Sequence, residues 1–293
     1  MMNRSTFRLK NIINCKNKIG ESCFWDPRDN RLWWTDISSQ KILRLNSDNS
    51  VTYFDVPERV CFILPRISKG FIIGFPKSIC LANEELNNFE IICKVESDII
   101  ETRINDAKVD NYGGIVFGTY NENPIKKNRK PNANVYRLSP SGNLKKIINN
   151  VTVSNGIAFS KPGDLMYFTD TPTNLIRRFK INKDFSSLSE IKSFDLDANY
   201  YGFPDGATVD NQNNYWSARV RGGCVISISG TGEVHDKVDT PSKTPTCITF
   251  GGENLDHVYV TSLKESTSNN KNDGNLFIFE TNIKGNQQIL SSI

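Results

Sequence analysis

Residues 154–181 read SNGIAFSKPGDLMYFTDTPTNLIRRFKI, and this stretch decides the fold. Three runs rich in β-branched and aromatic residues, GIAFS, LMYFTDT and LIRRFKI, are separated by the short polar segments KPGD and PTN. Runs of this composition are typical of strands, and segments rich in Gly, Pro, Asn and Asp form the tight turns between antiparallel strands. The stretch therefore predicts three antiparallel strands in succession.

The same pattern recurs along the chain with a period of about 45 residues. Further copies begin at CFWD, CFILP, DAKVD, GATVD and CITFG, and the GATVD copy shows a fourth strand, EVHDKV. Six copies of a four-stranded antiparallel unit are typical of an all-β, six-bladed β-propeller. We expect one such domain over residues 1–293, with FRLKNIINC at residues 7–15 as the outer strand of the last blade.

The composition disfavours nucleic-acid and membrane partners. Lys and Arg number 36 against 32 for Asp and Glu, and the run KKNRK at residues 126–130 is interpreted as a solvated loop. No apolar stretch approaches the roughly 18 residues that span a bilayer, and the N-terminal sequence lacks the apolar core of a signal peptide. We therefore expect a cytoplasmic protein with a small-molecule ligand. The sequence leaves the oligomeric state open.

The scarcity of histidine excludes much hydrolase chemistry. Only His235 and His257 are present, without a G-x-S-x-G motif, whereas a Ser-His-Asp or Cys-His hydrolase needs an imidazole beside its nucleophile. Both histidines are expected in ordinary strand or surface positions. The seven cysteines form no C-x-x-C pair, which disfavours a zinc–thiolate site and a disulfide framework.

A polar residue recurs directly before the first strand of several copies. Asn105, Asn155 and Asp205 stand at intervals of 50 residues, and Glu21 takes this place in the first copy. Because the first strand of each blade lines the channel of a propeller, the four side chains should meet at one mouth. Carboxylate and amide oxygens suit calcium, magnesium or manganese, so a metal site is predicted. The alternative is that each residue only caps a strand or a turn.

Several stretches, in this order and spacing, resemble the gluconolactonase and senescence-marker-protein (regucalcin) family of six-bladed propeller lactonases: GESCFWD, LWWTDI, RINDAKVD, GGIVFGTY, VSNGIAFS, FPDGATVD and NNYWSARV. The resemblance covers nearly the whole chain. It implies one divalent metal ion held by Glu21, Asn155 and Asp205. Calcium is the first choice, and manganese, iron(II), zinc and magnesium are the alternatives. It also implies three substrate-binding residues, namely Arg103, Asn105 and, as the nearest match in GTYNEN, Glu122.

The resemblance further implies hydrolysis of a sugar lactone, such as glucono-, xylono-, arabinono- or galactonolactone, to the aldonic acid. A divalent ion can polarise the lactone carbonyl and stabilise the oxyanion that develops there. Asp205 is the predicted base that takes a proton from the attacking water. Arg103 would position lactone oxygens through its fork of donors, unless it is a rim residue paired with Glu101 or Asp106.

Two other functions stay open at this point. One is a propeller hydrolase of organophosphates or aryl esters, a subclass with a more acidic calcium-binding channel. The other is a binding module without catalysis, because LWWTDISSQKILRL resembles the Y-W-T-D repeats of receptor propellers. Those repeats recur in nearly every blade, whereas here only WWTD and YFTD are similar.

Two long connections should lie at the same mouth, as lids or as disordered decoration, at residues 120–134 and 262–274. Aromatic side chains just before the predicted base are expected to wall the pocket: Tyr200, Tyr201 and Phe203. Two carboxylates at the ends of WWTD and YFTD are expected to be structural: Asp36 and Asp170.

Overall fold

The strands of the protein form six separate antiparallel sheets, each of four strands. The computed structural model describes residues 5–197 and 201–293, which are nearly all-β. In blades 1 to 5 the four strands of a sheet are consecutive in the chain, so each blade is a simple up-and-down meander. This arrangement confirms the predicted all-β, six-bladed propeller.

The strands of blades 1 to 5 have the following bounds. Blade 1 contains β2 (Gly20–Asp26), β3 (Arg31–Asp36), β4 (Lys41–Leu45) and β5 (Val51–Asp55). Blade 2 contains β6 (Phe62–Pro65), β7 (Phe71–Gly74), β8 (Ser78–Ala82) and β9 (Phe89–Lys94). Blade 3 contains β10 (Thr102–Val109), β11 (Ile115–Asn121), β12 (Ala133–Leu138) and β13 (Leu144–Val151). Blade 4 contains β14 (Ser154–Phe159), β15 (Leu165–Asp170), β16 (Leu175–Ile181) and β17 (Leu188–Asp195). Blade 5 contains β18 (Phe203–Val209), β19 (Tyr215–Val220), β20 (Cys224–Ile228) and β21 (Val234–Asp239).

Blade 6 combines strands from both ends of the chain. It contains β22 (Pro245–Gly251), β23 (His257–Ser262) and β24 (Leu276–Thr281), and β1 (Phe7–Ile13) pairs with β24 as the outermost strand. The prediction that the N-terminal segment completes the last blade is therefore confirmed. Phe7 and Ile12 pack against the apolar cluster between blades 5 and 6, so the closure also buries apolar surface.

The apolar cores lie between neighbouring blades. All six residues of β14 are buried, because an inner strand has a blade on each face, whereas the outer strand β17 exposes several residues. The contact between blades 1 and 2 is an example. Trp33 packs against Phe71 there, with ring centroids 4.8 Å apart.

A β-bulge interrupts the pairing of the first two strands in five blades, near the start of the inner strand. A bulge places two residues opposite one and turns their side chains out of the regular alternation. The bulges lie between the following pairs: Glu21/Phe24, Ile104/Ala107, Asn155/Ala158, Pro204/Ala207 and Pro245/Ile248.

Asp36 and Asp170 hold equivalent structural positions, as predicted. The carboxylate of Asp36 accepts hydrogen bonds from two successive backbone N–H groups, at Lys18 and Ile19, each over 3.0 Å. Asp170 accepts the same pair of bonds from the two backbone N–H groups at residues 152 and 153, at 3.0 and 2.8 Å. In both blades the carboxylate ties the end of the second strand to the segment that enters the inner strand.

The C-terminal segment crosses the opposite end of the channel, where the inner strands finish. Asn286 donates to the backbone oxygen of Val209 at the end of β18, and the backbone N–H of Ser291 donates to Pro65 at the end of β6. This segment therefore links blade 5 to blade 2 and leaves the inner-strand starts on the other face.

Three 3₁₀ turns are seen in the described part of the chain, at residues 37–39, 126–128 and 171–173. No helix in the described ranges is long and apolar enough to cross a membrane. His257 begins β23 and His235 lies exposed in β21, so both occupy the ordinary strand positions that the sequence predicted. All seven cysteines are free thiols.

Candidate active site

Four blades place a polar side chain at the β-bulge near the start of their inner strands. Glu21 and Asn155 are the last paired residues before the bulge, opposite Thr35 and Thr169. Asn105 and Asp205 come one residue later, because Ile104 and Pro204 are the last paired residues in their blades, opposite Thr119 and Arg219. The four predicted site residues therefore stand at two adjacent positions of the bulge, rather than at the single repeat position that the sequence predicted.

Three of these four side chains line one narrow cavity at the mouth of the channel. Glu21, Asn105 and Asn155 contribute to its wall, together with Asp106 and Cys61. Side chains from blades 1, 3 and 4 therefore meet there, and Cys61 adds a neutral thiol from blade 2. The fourth side chain, Asp205 of blade 5, is not among the residues that line this cavity, but its charge acts on Glu21.

Glu21 and Asp205 are carboxylates that oppose each other's ionisation. Burial raises the pKa of Glu21 well above its ordinary value, and the charges of Asp205 and Asp106 raise it further. Burial also raises the pKa of Asp205 well above its ordinary value, with a contribution from Asp106, although Arg103 acts in the opposite direction. Neither carboxylate forms a salt bridge with a residue in the described ranges. The mouth therefore concentrates negative charge that the described side chains do not neutralise.

Asp106 is a site residue that sequence reasoning missed. Its carboxylate accepts a hydrogen bond from the backbone N–H of Ile157 over 2.9 Å, and burial raises its pKa to about 6. Asn105 and Asp106 are adjacent, and regular strand alternation would send them to opposite faces. The bulge after Ile104 brings both into the same cavity. The available signal was a carboxylate directly next to the predicted site residue Asn105 in the inner strand.

The amide of Asn155 has a fixed orientation. Thr171 Oγ1 donates its hydrogen to the backbone oxygen of Pro204 at 2.9 Å, so it accepts the hydrogen bond from Asn155 Nδ2, also at 2.9 Å. Asn155 Oδ1 accepts from Asn105 Nδ2 at 2.9 Å and keeps a second lone pair for another partner. The relay runs through blades 3, 4 and 5, and it presents an amide oxygen of Asn155 as an acceptor.

Asn105 in turn is oriented by the blade 3 arginine. Arg103 Nη1 donates to Asn105 Oδ1 at 2.8 Å, and Asn105 Nδ2 donates to the backbone oxygen of Ser154 at 2.8 Å as well as to Asn155. All the hydrogens and one oxygen lone pair of the Asn105 amide are thus engaged. Asn105 therefore holds neighbouring groups in place and keeps one oxygen lone pair, as an acceptor, for a ligand.

Glu122 is bound by two arginines from different blades. Arg59 makes a bidentate pair with its carboxylate, at 2.9 and 2.8 Å, and Arg103 Nε donates to it at 3.2 Å. Burial opposes the ionisation of Glu122, but the hydrogen bonds and charges of the arginines outweigh it and lower the pKa of Glu122. The alternative predicted for Arg103 from the sequence is a rim ion pair with Glu101 or Asp106. Those partners are wrong, because the carboxylate that Arg103 binds is that of Glu122. Sequence reasoning also missed Arg59, because nothing in ERVCF indicates a partner in blade 3.

The part of the chain that contains these site residues matches a known protein family. The SMP-30/Gluconolactonase/LRE-like region matches residues 19–264, from just before Glu21 to beyond the end of β23. The chain belongs to the SMP-30/gluconolactonase/LRE-like family. This confirms the resemblance that the sequence motifs indicated.

Individual members of the SMP-30/gluconolactonase/LRE-like family align with nearly the whole chain. A 6-deoxy-6-sulfogluconolactonase of Pseudomonas putida is 31% identical over 89% of this chain and 88% of its own. A pentonolactonase of Haloferax volcanii is 26% identical over 86% of this chain and 84% of its own. The structure of a luciferin-regenerating enzyme superposes with a TM-score of 0.89 at 25% identity, covering 99% of this chain and 100% of that one.

The described residues of blades 2 and 6 place no charged group at the equivalent point of their inner strands. In blade 6 the residue after Pro245 is Thr246, whose hydroxyl forms hydrogen bonds with the backbone oxygen of Gly20 and with Thr261 Oγ1. In blade 2 the cavity is lined by Cys61, and burial raises the pKa of its thiol, which keeps it neutral.

Both long connections begin at the mouth, because the end of each second strand lies beside the start of its inner strand. In the first, Asn121 Nδ2 donates to the backbone oxygen of Lys130 at 3.0 Å and so closes the loop on itself. The second is held by Asp273, which accepts from Ser242 at 2.6 Å and from Ser268. Both segments are hydrogen-bonded rather than extended into solvent, and their action as lids stays a prediction.

Three aromatic residues were predicted to wall the pocket, and one of them, Tyr200, lies outside the described residues. Tyr201 packs against the apolar cluster between blades 4 and 5, and its backbone oxygen accepts from the Cys224 thiol at 3.8 Å. Phe203 is half-buried as the first residue of β18. A contact of Tyr201 or Phe203 with a sugar ring stays a prediction.

The donor set at the mouth fits a hard divalent cation. Within residues 5–197 and 201–293, no three His, Cys, Asp or Glu side chains converge to hold a metal by themselves. A mixed set is available, however, consisting of two uncompensated carboxylates, Glu21 and Asp205, and the fixed amide oxygen of Asn155. Oxygen donors of this kind suit calcium, magnesium and manganese, and a cation would relieve the repulsion between the carboxylates. The roles of these residues as metal ligands stay a prediction.

Proposed function

We propose that the protein is a metal-dependent hydrolase that opens sugar lactones to aldonic acids. The observation that carries the proposal is that Glu21, Asn105 and the oriented Asn155 amide line one cavity at the channel mouth, close enough to Asp205 for its charge to raise the pKa of Glu21, with Arg103 bonded to Asn105. Relatives across nearly the whole length of the chain are named as lactonases of sulfogluconate and pentonate type, which supports the same reaction class.

In this proposal Glu21, Asn155 and Asp205 hold one divalent ion, each from a different blade. The ion would supply a Lewis acid that polarises the lactone carbonyl and lowers the pKa of water. Calcium is our first choice because the donors are all oxygens, and manganese, iron(II), zinc and magnesium are the alternatives. Since rigid blades carry the three ligands, their spacing does not depend on loop order.

The proposed reaction begins with a water molecule and uses Asp205 for proton transfer. A water oxygen attacks the lactone carbonyl, and Asp205 accepts a proton from that water as the new C–O bond forms. The bond from the carbonyl carbon to the ring oxygen then breaks, and the ring oxygen takes the proton that Asp205 accepted and becomes a hydroxyl group. The product is a hydroxy acid, which ionises at neutral pH, so each turnover releases one proton to solution.

Arg103 and Asn105 hold the polyhydroxylated substrate. Arg103 donates Nε to Glu122 and Nη1 to Asn105 and to the backbone oxygen of Ile104, so the two N–H groups of Nη2 are those left for lactone oxygens. Glu122, fixed by Arg59 and Arg103, can accept hydrogen bonds from sugar hydroxyls with its remaining lone pairs. The donors and acceptors suit a ligand rich in hydroxyl groups.

A second candidate reaction is the hydrolysis of phosphotriesters or aryl esters. Asp106 is the observation that favours it, because this third carboxylate makes the channel more acidic than the sequence predicted. A more acidic channel is the feature expected of that subclass. The hydrogen-bonding side chains at the mouth favour the sugar lactone.

A substrate panel decides between the candidates. Protein saturated with Ca²⁺ or Mn²⁺ is mixed with gluconolactone, xylonolactone, galactonolactone, a phosphotriester and an aryl ester, and proton release is followed with a pH indicator after correction for spontaneous opening. We expect metal-dependent acceleration with at least one lactone. Turnover of only the phosphotriester or aryl ester would show that the site catalyses the second reaction instead of lactone opening. No turnover of any compound would favour a binding module.

A further inference from the structure

The connection between β11 and β12 carries basic side chains beside the mouth. Lys127, Arg129 and Lys130 line a cavity of about 500 Å³, in which Glu101 is the single carboxylate and asparagines supply the rest of the wall. None of the three cations forms a salt bridge with a residue in the described ranges. The cavity therefore carries an excess of positive charge that the described chain does not balance.

Arg129, in the wall of this cavity, lies over the same aromatic ring as Arg103, the arginine proposed to bind the substrate. Its guanidinium carbon lies 4.8 Å from the ring centroid of Tyr120, and that of Arg103 lies 4.7 Å from the same centroid. The two guanidinium carbons are therefore no more than 9.5 Å apart, the sum of these distances. A partly exposed ring at the mouth thus binds two cations. The ring attracts each of them weakly, while the two charges repel each other.

The guanidinium of Arg129 is held in place before any ligand arrives. Arg129 Nε donates to the backbone oxygen of Asn123 at 3.0 Å, and its guanidinium carbon lies over the Tyr120 ring. Both Nη atoms of Arg129, and Nη2 of Arg103, lack an acceptor among the described residues. A planar fork with free N–H groups matches the oxygens of a phosphate or sulfonate in a bidentate manner.

We infer that the lactone substrate carries a terminal oxyanion, phosphate or sulfonate, and that Arg129 binds it. The inference rests on the proposed lactonase function and names the substrate class of the same site. Arg103 faces the lactone end of such a molecule and Arg129 the charged end, across a distance that a six-carbon lactone can bridge. Lys127 and Lys130 add a field that attracts the anion towards the mouth. The basic run is thus part of the site rather than only a solvated loop.

The test compares a charged lactone with its neutral parent. The ratio of kcat/KM for 6-phosphoglucono-δ-lactone to that for glucono-δ-lactone is measured in the wild type and in Arg129→Gln, Arg129→Lys and Arg177→Gln. Arg177 is the matched control, because it also stacks on a ring, that of Phe179 at 5.0 Å, but in the strand β16 on the outer part of blade 4. We expect a ratio above ten in the wild type, a fall of tenfold or more in Arg129→Gln, a smaller fall in Arg129→Lys and no change in Arg177→Gln.

Two results would overturn the inference. One is a wild-type ratio near one. The other is an equal loss of kcat/KM for both lactones in Arg129→Gln, which indicates that Arg129 only supports the loop.

A binding measurement separates this inference from the proposed function. Calorimetric titration of 6-phosphogluconate and gluconate into the metal-loaded protein does not require turnover. If no lactone is opened, the lactonase proposal fails, yet tighter binding of 6-phosphogluconate that Arg129→Gln reduces tenfold still supports the oxyanion subsite. Equal affinity for the two acids contradicts the subsite, whether or not a lactone is opened.

Discussion

Asn105 donates a hydrogen bond from Nδ2 to Oδ1 of Asn155 over 2.9 Å and so connects blade 3 to blade 4 at the mouth of the channel. The acceptor of this bond is the oxygen that we assign to the metal ion. Hydrogen bonds to a ligating group hold it in the geometry that the metal requires. Asn105 should therefore affect metal binding without being a ligand.

Asn105→Ala should weaken metal affinity by about 10- to 100-fold, the usual effect of removing a group that orients a ligand. Calorimetric titration of metal into chelator-treated protein measures this. Asn111→Ala is the matched control, because Asn111 Nδ2 also bridges blades 3 and 4, to the backbone oxygen of Lys161 at 3.0 Å, but at the other end of the inner strands. If both variants bound metal as the wild type does, the relay would have only a structural role.

Arg103→Lys should lower kcat/KM for the lactone by about tenfold or more while metal content stays near that of the wild type. A lysine cannot bond Glu122 and Asn105 at once and still present two free N–H groups to substrate. Steady-state kinetics and metal analysis on the same preparation measure both quantities. Wild-type kinetics across several lactones would place Arg103 outside the substrate site.

The metal-free protein should lose stability as the pH rises from about 4 to beyond 6. Burial raises the pKa of Asp106 to about 6, so the folded state binds this proton more tightly than the unfolded chain does. Stability is therefore highest below the ordinary pKa of aspartate and falls as the pH rises through the pKa of the folded state. Asp106→Asn should remove part of this slope and stabilise the chelated protein at pH 7 by about 0.5–2 kcal/mol. Urea unfolding in chelator over this pH range measures it, and a slope of the same size in both proteins would contradict the assignment.

Glu122→Gln should destabilise the protein at neutral pH but not in acid. The arginines lower the pKa of Glu122, so its contribution is present above the ordinary pKa of glutamate and is lost as the pH falls through the pKa of the folded state. Because the carboxylate is partly exposed, we expect a loss of about 1 kcal/mol or less at pH 7, and KM should also rise. Glu190→Gln breaks the pair with Arg177 on the outer strands of blade 4 and is the control that should leave KM unchanged. If both variants changed KM equally, Glu122 would not be part of the substrate site.

The fold and the approximate place of the site could be predicted because they are properties of a repeat. The turn chemistry of KPGD and PTN and the recurring strand pattern identify the blades, and a polar residue stands near the start of the inner strand in four of them. Glu21, Asn105, Asn155 and Asp205 all lie at the bulge of their blade, but the strand register places Asn105 and Asp205 one residue later than Glu21 and Asn155.

The contacts missed by the sequence depend on irregular geometry or on pairs far apart in the chain. Asp106 enters the cavity because a bulge breaks the alternation of its strand, and a bulge leaves little mark in a single sequence. Arg59, in the segment before β6, meets Glu122, just after β11, across 63 positions of the chain. The stacking of Arg129 on Tyr120 depends on the fold of a long loop, which composition alone indicated to be solvated.

A metal titration combined with a lactone assay shows most directly whether one bound cation is required for catalysis. Chelator-treated protein is titrated with Ca²⁺ or Mn²⁺, and the rate of proton release from the best lactone of the panel is recorded alongside the metal bound in wild type, Glu21→Gln and Asp205→Asn. We expect wild-type activity to rise from near zero and to saturate at one equivalent, and both variants to stay folded but to bind metal weakly and remain inactive. Full activity in chelator, or wild-type metal binding and activity in both variants, would exclude the metal-dependent mechanism at this site.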